Sequence, residues 1–453
     1  MTIINILLGL IGLGIVVFFH ELGHFLAARF VGINVEAFSI GWGNPILKKK
    51  IGATEYRLGM FPLGGYCKMQ GDSDYNNEAY VNLEKGITPE KGSYHAASPA
   101  ARMLVCFCGP LFNLLFACVV FSVIWGIGFT VYTTENKIIL ASQFDTSQTE
   151  PFPADITGLK TGDRIIEINR KKTEHFNDIQ KVIIRNPGKE MPVTIDRNGE
   201  IYHFNITPFL DKDTGAGRIG ILAWRNPIIY GVIEGSIAEK AGLRTGDLIT
   251  SVNGIPVFNS EDFRHLRQQN TDNFIVEYER YGVKGEAVFS AEEIIGELGF
   301  YWPLISYRTP RLSIPGAIAT GVYESFETLY ETVRSLRLLF RGINLKNAVS
   351  GPVRITYMIG DTATQGFGQD IGTGFLTIFN FIALISIALC VMNLLPLPIL
   401  DGGMIILFFV EMIRGKPIPP KAVAIFQTCG FVIIISLMVL AIFGDIMFFA
   451  GRG

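Results

Sequence analysis

Cysteine is scarce and unevenly placed. Of the six in 453 residues, Cys67 lies between apolar runs, Cys106, Cys108, Cys118, Cys390 and Cys429 lie within them, and residues 133–370 contain none. An oxidising compartment would find no thiol to pair in that long central segment, so a disulfide framework is excluded there. Cys106 and Cys108 stand two apart, which is not a Cys-x-x-Cys spacing, and they read as plain buried residues. Charge is scarce as well. Asp, Glu, Lys and Arg make up 18% of the chain against about 25% for an ordinary globular protein, while hydrophobic residues reach 49%. With 39 basic and 41 acidic residues there is no excess of positive charge, which argues against a nucleic-acid partner. The 34 Phe and 15 Tyr exclude a disordered or fibrous chain. What remains is a membrane protein with a soluble portion.

The apolar mass falls into four runs of about 20 residues or more, the length needed to cross a bilayer. Thr2 to Phe19 is uncharged and continues through His20 and Glu21 to Ala28, Met103 to Tyr132 and Ile371 to Leu400 carry no charge, and Lys421 to Ala450 holds Asp445 near its end. No Lys or Arg precedes the first run and no small-residue cleavage site follows it, so it is expected to be a permanent span rather than a signal peptide. Arg29, Lys48, Lys49, Lys50, Arg57, Lys68, Lys85, Lys91 and Arg102 lie between or at the ends of the first two runs, and Arg414, Lys416 and Lys421 separate the last two. Basic short loops belong on the cytoplasmic side, which puts both termini and residues 133–370 outside.

The outer insertion repeats itself. Gly158-Leu-Lys-Thr-Gly-Asp-Arg-Ile-Ile-Glu-Ile-Asn169 recurs 84 residues later as Gly242-Leu-Arg-Thr-Gly-Asp-Leu-Ile-Thr-Ser-Val-Asn253, identical at seven of twelve positions. That period suits two copies of a small domain, each a Gly-rich turn, an Ile-rich strand, an Asn turn, a helix and further strands. The pattern resembles PDZ domains of the bacterial type, which implies a groove beside a sheet edge able to take a peptide as an added strand, or else an empty groove in a steric filter. Beyond the second copy, Ile318, Val322, Phe326, Leu329, Val333, Leu336 and Leu339 recur at helical spacing with Glu324, Glu327, Glu331, Arg334 and Arg337 between them. This amphipathic helix is expected either on the outer membrane interface or packed beneath the repeated pair.

The chemistry lies in the spans. His20-Glu21-Leu-Gly-His24 places two imidazoles four residues apart on one helical face, where both can reach one Zn²⁺, and sets Glu21 about 100° away, able to take a proton from water. Three ionisable residues in an otherwise apolar span are costly unless they serve a site. His95, His175, His203 and His265 fall outside the spans and are poor third ligands. Asp401 is the better candidate. It sits in Asn393-Leu-Leu-Pro-Leu-Pro-Ile-Leu-Asp401-Gly402-Gly403, where prolines and glycines interrupt a run too long for one span, and broken helices at membrane depth occur where backbone lines a cavity. Glu411, beside the short basic loop, and Asp445, near the outer end of the last run, are expected to reach an interface. Asn393 offers an amide either to a polarised carbonyl or to broken-helix backbone.

These two motifs resemble those of the site-2 protease family of intramembrane zinc metalloproteases. The paired PDZ-like repeats with Ser350-Gly-Pro352, Phe61-Pro-Leu-Gly-Gly-Tyr66 and Gly109-Pro-Leu-Phe-Asn113 narrow the resemblance to the bacterial regulator-of-sigma-E proteases within it. The resemblance implies that His20, His24 and Asp401 bind Zn²⁺, that Glu21 is the catalytic acid and base, and that Asn393, Pro398, Gly64 and Gly65 contact substrate. It further implies a membrane-associated β-hairpin over about Val35 to Lys68 that holds an unwound substrate as a strand. Met404 and Ala388 depart from the His and Asn common in the family. The fold class expected is a polytopic α-helical membrane protein with about four spans, that hairpin, and two inserted α+β PDZ domains. The domain limits are an N-terminal membrane part (1–132), the two PDZ domains (133–212 and 213–308), an amphipathic region (309–370) and a C-terminal membrane part (371–453). The implied substrate is a pre-trimmed single-span membrane protein such as an anti-sigma factor, with remnant signal peptides second, in the bacterial inner membrane with both termini and the PDZ pair periplasmic. A membrane-anchored zinc peptidase of cytoplasmic-face or misfolded proteins, and a PDZ scaffold with a relic metal site, are the competing readings.

Overall fold

A computed structural model describes residues 3–71, 88–144, 150–212, 215–269, 274–290, 292–293, 297–339, 351–369 and 371–450. Lys85 and Ser350 lie outside the described residues. The chain divides into two compact units, Met1–Phe129 with Thr309–Gly453, and Thr130–Arg308.

In the first unit, four helices are long and apolar enough to cross a membrane: Ile6–Phe30, Pro99–Ile127, Ile371–Asn393 and Pro420–Met447. They lie within α1 (Ile3–Phe30), α2 (Pro99–Ile127), α7 (Ile371–Asn393) and α9 (Pro420–Ala450). The second span begins earlier than its uncharged run, because Ser98 caps α2 by accepting from the backbone N–H of Ala101 at 3.2 Å and proline occupies the first turn. Arg102 is thereby drawn inside the helix. The third span ends at Asn393, short of the expected Leu400, and Asp401 opens a separate helix, α8 (Asp401–Arg414). The prolines at 396 and 398 have no N–H to continue the ladder, and Ile399 sits at φ 79°, a left-handed conformation that costs a β-branched residue dearly.

Between the first two spans, β1 (Val35–Ile51) pairs antiparallel with β2 (Thr54–Met69), closing at Ile51 opposite Thr54. The base of this hairpin is fixed by Val35, Phe38 and Met69, which are buried with Phe25 and Ala28 of α1. Its distal half exposes Trp42, Ile46, Leu47, Met60 and Phe61.

The amphipathic helix, α5 (Ile314–Leu339), packs along α2 within this unit. Ala317, Gly321 and Ser325 form a small-residue stripe that lets the two backbones approach: a β-carbon on Gly321 would collide with Ser122. The Trp125 indole also donates to Glu324. Asp445 is buried rather than interfacial. Its carboxylate accepts from the backbone N–H groups of Gly351, Val353 and Arg354 at 2.8, 3.2 and 3.2 Å, capping α6 (Pro352–Gln369). The glycine of the Ser350-Gly-Pro352 motif follows from this cap, since a β-carbon on Gly351 would meet the Asp445 carboxylate. Glu411 is likewise buried, paired with Arg102 at 2.7 Å.

In the second unit, two four-stranded antiparallel sheets share one strand order. The first uses β3 (Arg164–Ile168), β4 (Lys171–Lys172), β5 (Met191–Arg197) and β6 (Glu200–Ile206) in the order β4-β3-β5-β6, with helix α3 (Phe176–Ile184) between β4 and β5. The second uses β7 (Leu248–Val252), β8 (Ile255–Pro256), β9 (Phe274–Arg280) and β10 (Val283–Phe289) in the order β8-β7-β9-β10, with α4 (Ser260–Gln269). The repeated Gly-Asp explains itself at atomic level. Asp163 accepts from Arg197 Nε and Nη2 at 2.7 and 2.8 Å and from the Lys160 N–H at 2.7 Å. Asp247 does the same with Arg280 at 2.6 and 2.8 Å and with the Arg244 N–H at 2.7 Å. Each buried carboxylate is therefore met by a bidentate charged partner and a backbone donor, which burial requires. Strand Ile221–Ala223 pairs with Ile138–Leu140 and brings Ile219 into the first core, so the first copy is completed by residues beyond the boundary drawn at 212.

Candidate metal centre

The site is built where α1 and α2 touch. A β-carbon on Gly23 would overlap the carbonyl of Cys108, and one on Gly109 would overlap both the His20 and His24 rings. Glycine at these two positions is what lets the backbones approach closely enough for α2 to form the floor beneath the imidazoles.

The structure brings His20, His24 and Asp401 together. His20 Nε2 and His24 Nε2 lie 3.1 Å apart, Asp401 Oδ2 is 3.4 Å from the first, and Asp401 Oδ1 is 3.5 Å from the second. Donors about 2.0–2.2 Å from a tetrahedral zinc stand about 3.3–3.6 Å from one another, so this triangle has the right size. Its protonation suits a cation too. His24 donates its Nδ1–H to the Val105 carbonyl at 2.8 Å, which turns Nε2 toward His20 and Asp401. Asn113 presents its side-chain amide to His20 Nδ1 at 3.4 Å. Two imidazole nitrogens and a carboxylate converging in a mostly buried site form a donor set that suits a divalent cation. The side chains of His20, His24 and Asp401 keep 14%, 12% and 18% of their exposure, enough to leave an approach for substrate.

Glu21 stands beside this triangle, and its carboxylate accepts from the backbone N–H of Cys67 on β2. The hairpin thus reaches the site. Gly65 packs on α1 so tightly that a β-carbon would come within 3.0 Å of both Glu21 Cγ and Val17 Cγ1, and Trp42 Nε1 donates to the Gly65 carbonyl at 3.2 Å. Gly64 sits at φ 106° with Trp42 against it. Asn393 is also brought in, its amide 3.5 Å from His20 Nε2. Pro398 packs against Gly430 of α9. Gly402 and Gly403 turn the start of α8 back over the carbonyls of Leu394, Leu395 and Leu397, which sets Asp401 at the mouth of the triangle. Met404 packs with Leu407 and Phe408 as an ordinary apolar residue.

Sequence reasoning assigned no role to Asn113 or to the Val105 carbonyl. Asn113, a fully buried amide in an uncharged span, carried the signal, since a polar side chain at membrane depth needs a partner. The carbonyl carried none, because every residue has one.

The model of peptidase family M50 matches residues 8–437. Among curated relatives, a protein of Treponema pallidum (strain Nichols) named "Putative zinc metalloprotease" is 35% identical over 98% of this chain and 99% of its own length. One of the same name from Borreliella burgdorferi is 30% identical over 97% of this chain and 98% of its own length. The "Regulator of sigma E protease" of Haemophilus influenzae is 29% identical over 97% of both chains.

The orientation of the histidines gives a test. Asn113→Leu removes only the hydrogen bond to His20 and should lower zinc affinity about 10- to 100-fold in chelator competition, with the fold intact. Unchanged affinity would show that Asn113 does not orient the ring.

Proposed function

The chain belongs to peptidase family M50, and on that footing we propose that it is a zinc-dependent endopeptidase that cuts the transmembrane segment of pre-trimmed single-span proteins. The observation that carries this reading is the convergence of His20, His24 and Asp401, with Glu21 alongside, on a helix apolar enough to span a bilayer. His20, His24 and Asp401 would hold the zinc, which when bound supplies Lewis-acid polarisation of the scissile carbonyl. Glu21 takes the proton of the attacking water and returns it to the leaving amine, its carboxylate fixed by the Cys67 N–H. A peptide bond inside a helix is shielded by its own hydrogen bonds, so the substrate must unwind first. The hairpin edge at Gly64 and Gly65 lies beside Glu21 and suits an opened strand, while Asn393 offers an amide to it and Pro398 stiffens the segment that carries Asp401.

An anti-sigma factor is the substrate class that fits a relative named as a regulator of sigma E protease, with remnant signal peptides second. The basic loops support a bacterial inner-membrane location with both termini on the periplasmic side. The two four-stranded copies in Thr130–Arg308 are read as periplasmic PDZ domains that act as a size filter. Membrane confinement already concentrates a single-span substrate, so a weak peptide groove would add little.

Replacing His20, His24 or Asp401 by Ala should remove zinc and activity together, whereas Glu21→Gln should keep zinc, lose activity and cause trimmed membrane fragments to accumulate. Full zinc occupancy in Asp401→Ala would reject the third ligand. Sidedness is checked with single cysteines in a cysteine-free chain: Asn198→Cys should label from outside and Lys49→Cys only from the cytoplasm. The filter is checked by deleting residues 155–290, which should leave trimmed substrate cut at its normal rate and admit untrimmed substrate. Continued rejection of untrimmed substrate by a stable deletion chain would sink that role.

A further inference from the structure

One stripe of α2 touches both histidines of the metal centre. Reading along it, the Val105 carbonyl holds His24, Gly109 lies under both rings, and Asn113 meets His20. The same stripe begins with Arg102, whose side chain is 2% exposed. Arg102 Nη2 donates to Glu411 Oε1 at 2.7 Å, and its guanidinium lies 4.6 Å over the Phe408 ring. Glu411 is on α8, the helix that opens with Asp401. A helix rises about 1.5 Å per residue, so Asp401 and Glu411 are about 15 Å apart on one rigid rod.

We infer that the Arg102–Glu411 pair is a positioning device that fixes the register of α8 on α2, and so the distance from Asp401 to the two histidines. This rests on the reading of those three residues as zinc ligands. Burying two charges is expensive, and an apolar pair of similar volume usually serves stability as well or better. This pair recovers little of that cost through hydrogen bonds: Arg102 Nε and Nη1 and Glu411 Oε2 find no partner among the described residues. What the pair supplies is direction. Leu407, Phe408 and Met404 hold α8 by apolar contact, which is non-directional and tolerates sliding. On the other side of Asp401, residues 394–400 form an irregular segment and contribute no long rigid element. A donor–acceptor contact of 2.7 Å, by contrast, is lost if α8 slips by even part of a turn. Catalytic constellations lose about 100-fold for a misplacement of about 1 Å, which gives such a tether a functional value that stability alone does not.

The test uses the full chain, purified with zinc, in wild-type form, as Arg102→Met with Glu411→Leu, and as Glu411→Gln. The doubly apolar variant should fold, as judged by yield and resistance to added protease. It should release zinc to a chelator at least 10-fold faster and lose at least 10-fold in kcat, with KM within about twofold. Glu411→Gln keeps shape and one hydrogen bond, so it should show the same two changes at smaller size, and it stands as the test should the double variant not fold. Wild-type zinc release and kcat in either folded variant would overturn the positioning role while leaving the metal site standing. A wild-type chain that retains no zinc would overturn the metal reading, and this inference with it.

Discussion

The close approach of the first and second spans is the constraint on which the rest depends. It exists because Gly23 and Gly109 carry no side chain where the backbone of one helix meets the other, and where the floor of the site meets both imidazoles. Lipid gives two helices no hydrophobic reason to associate, so contact must come from packing and polar bonds, and small residues are what make both reachable. Once the helices are that close, the Val105 carbonyl and Asn113 come within reach of His24 and His20. The same contact that joins the helices therefore orients the proposed ligands.

A second consequence is the way chain breaks are used. Irregular backbone at membrane depth is tolerated where it is buried or lines a cavity, and two irregular features meet here. The segment after Asn393 is folded under the Gly402-Gly403 start of α8, while the hairpin base reaches Glu21 through the Cys67 N–H. The buried ionic groups follow the same economy: Asp445 caps a helix and Asp163 and Asp247 each hold an arginine and a turn, so each carboxylate meets directional donors.

The second unit shows how a repeat is read physically. The identical Gly, Asp and Asn positions are turn and ion-pair positions, with Asn169 and Asn253 at φ 50° and 49°. The residues between them are strand positions where Ile165 and Ile249 are both fully buried. Turn and ion-pair positions of this kind specify a fold and not a binding surface, which is why the repeat by itself does not name a ligand.

Composition and hydropathy alone showed four runs long and apolar enough to cross a membrane, because burial in lipid needs long uncharged runs. Local spacing determined that His20 and His24 share a face, since helical periodicity fixes that within one turn. The twofold sheet copies were legible for the same reason, as a repeated string of turn residues. Other features required the tertiary structure. Arg102 read as a loop cation and Glu411 and Asp445 as interfacial carboxylates, yet all three are buried with partners far away in sequence. The amphipathic helix showed its apolar stripe but not that α2 would receive it, and Asn113 showed polarity but not His20. Periodicity reports only what one element does along its own axis; which elements meet, and at what register, is decided by contacts between residues far apart in the chain, such as His20 with Asp401, and no local pattern encodes those.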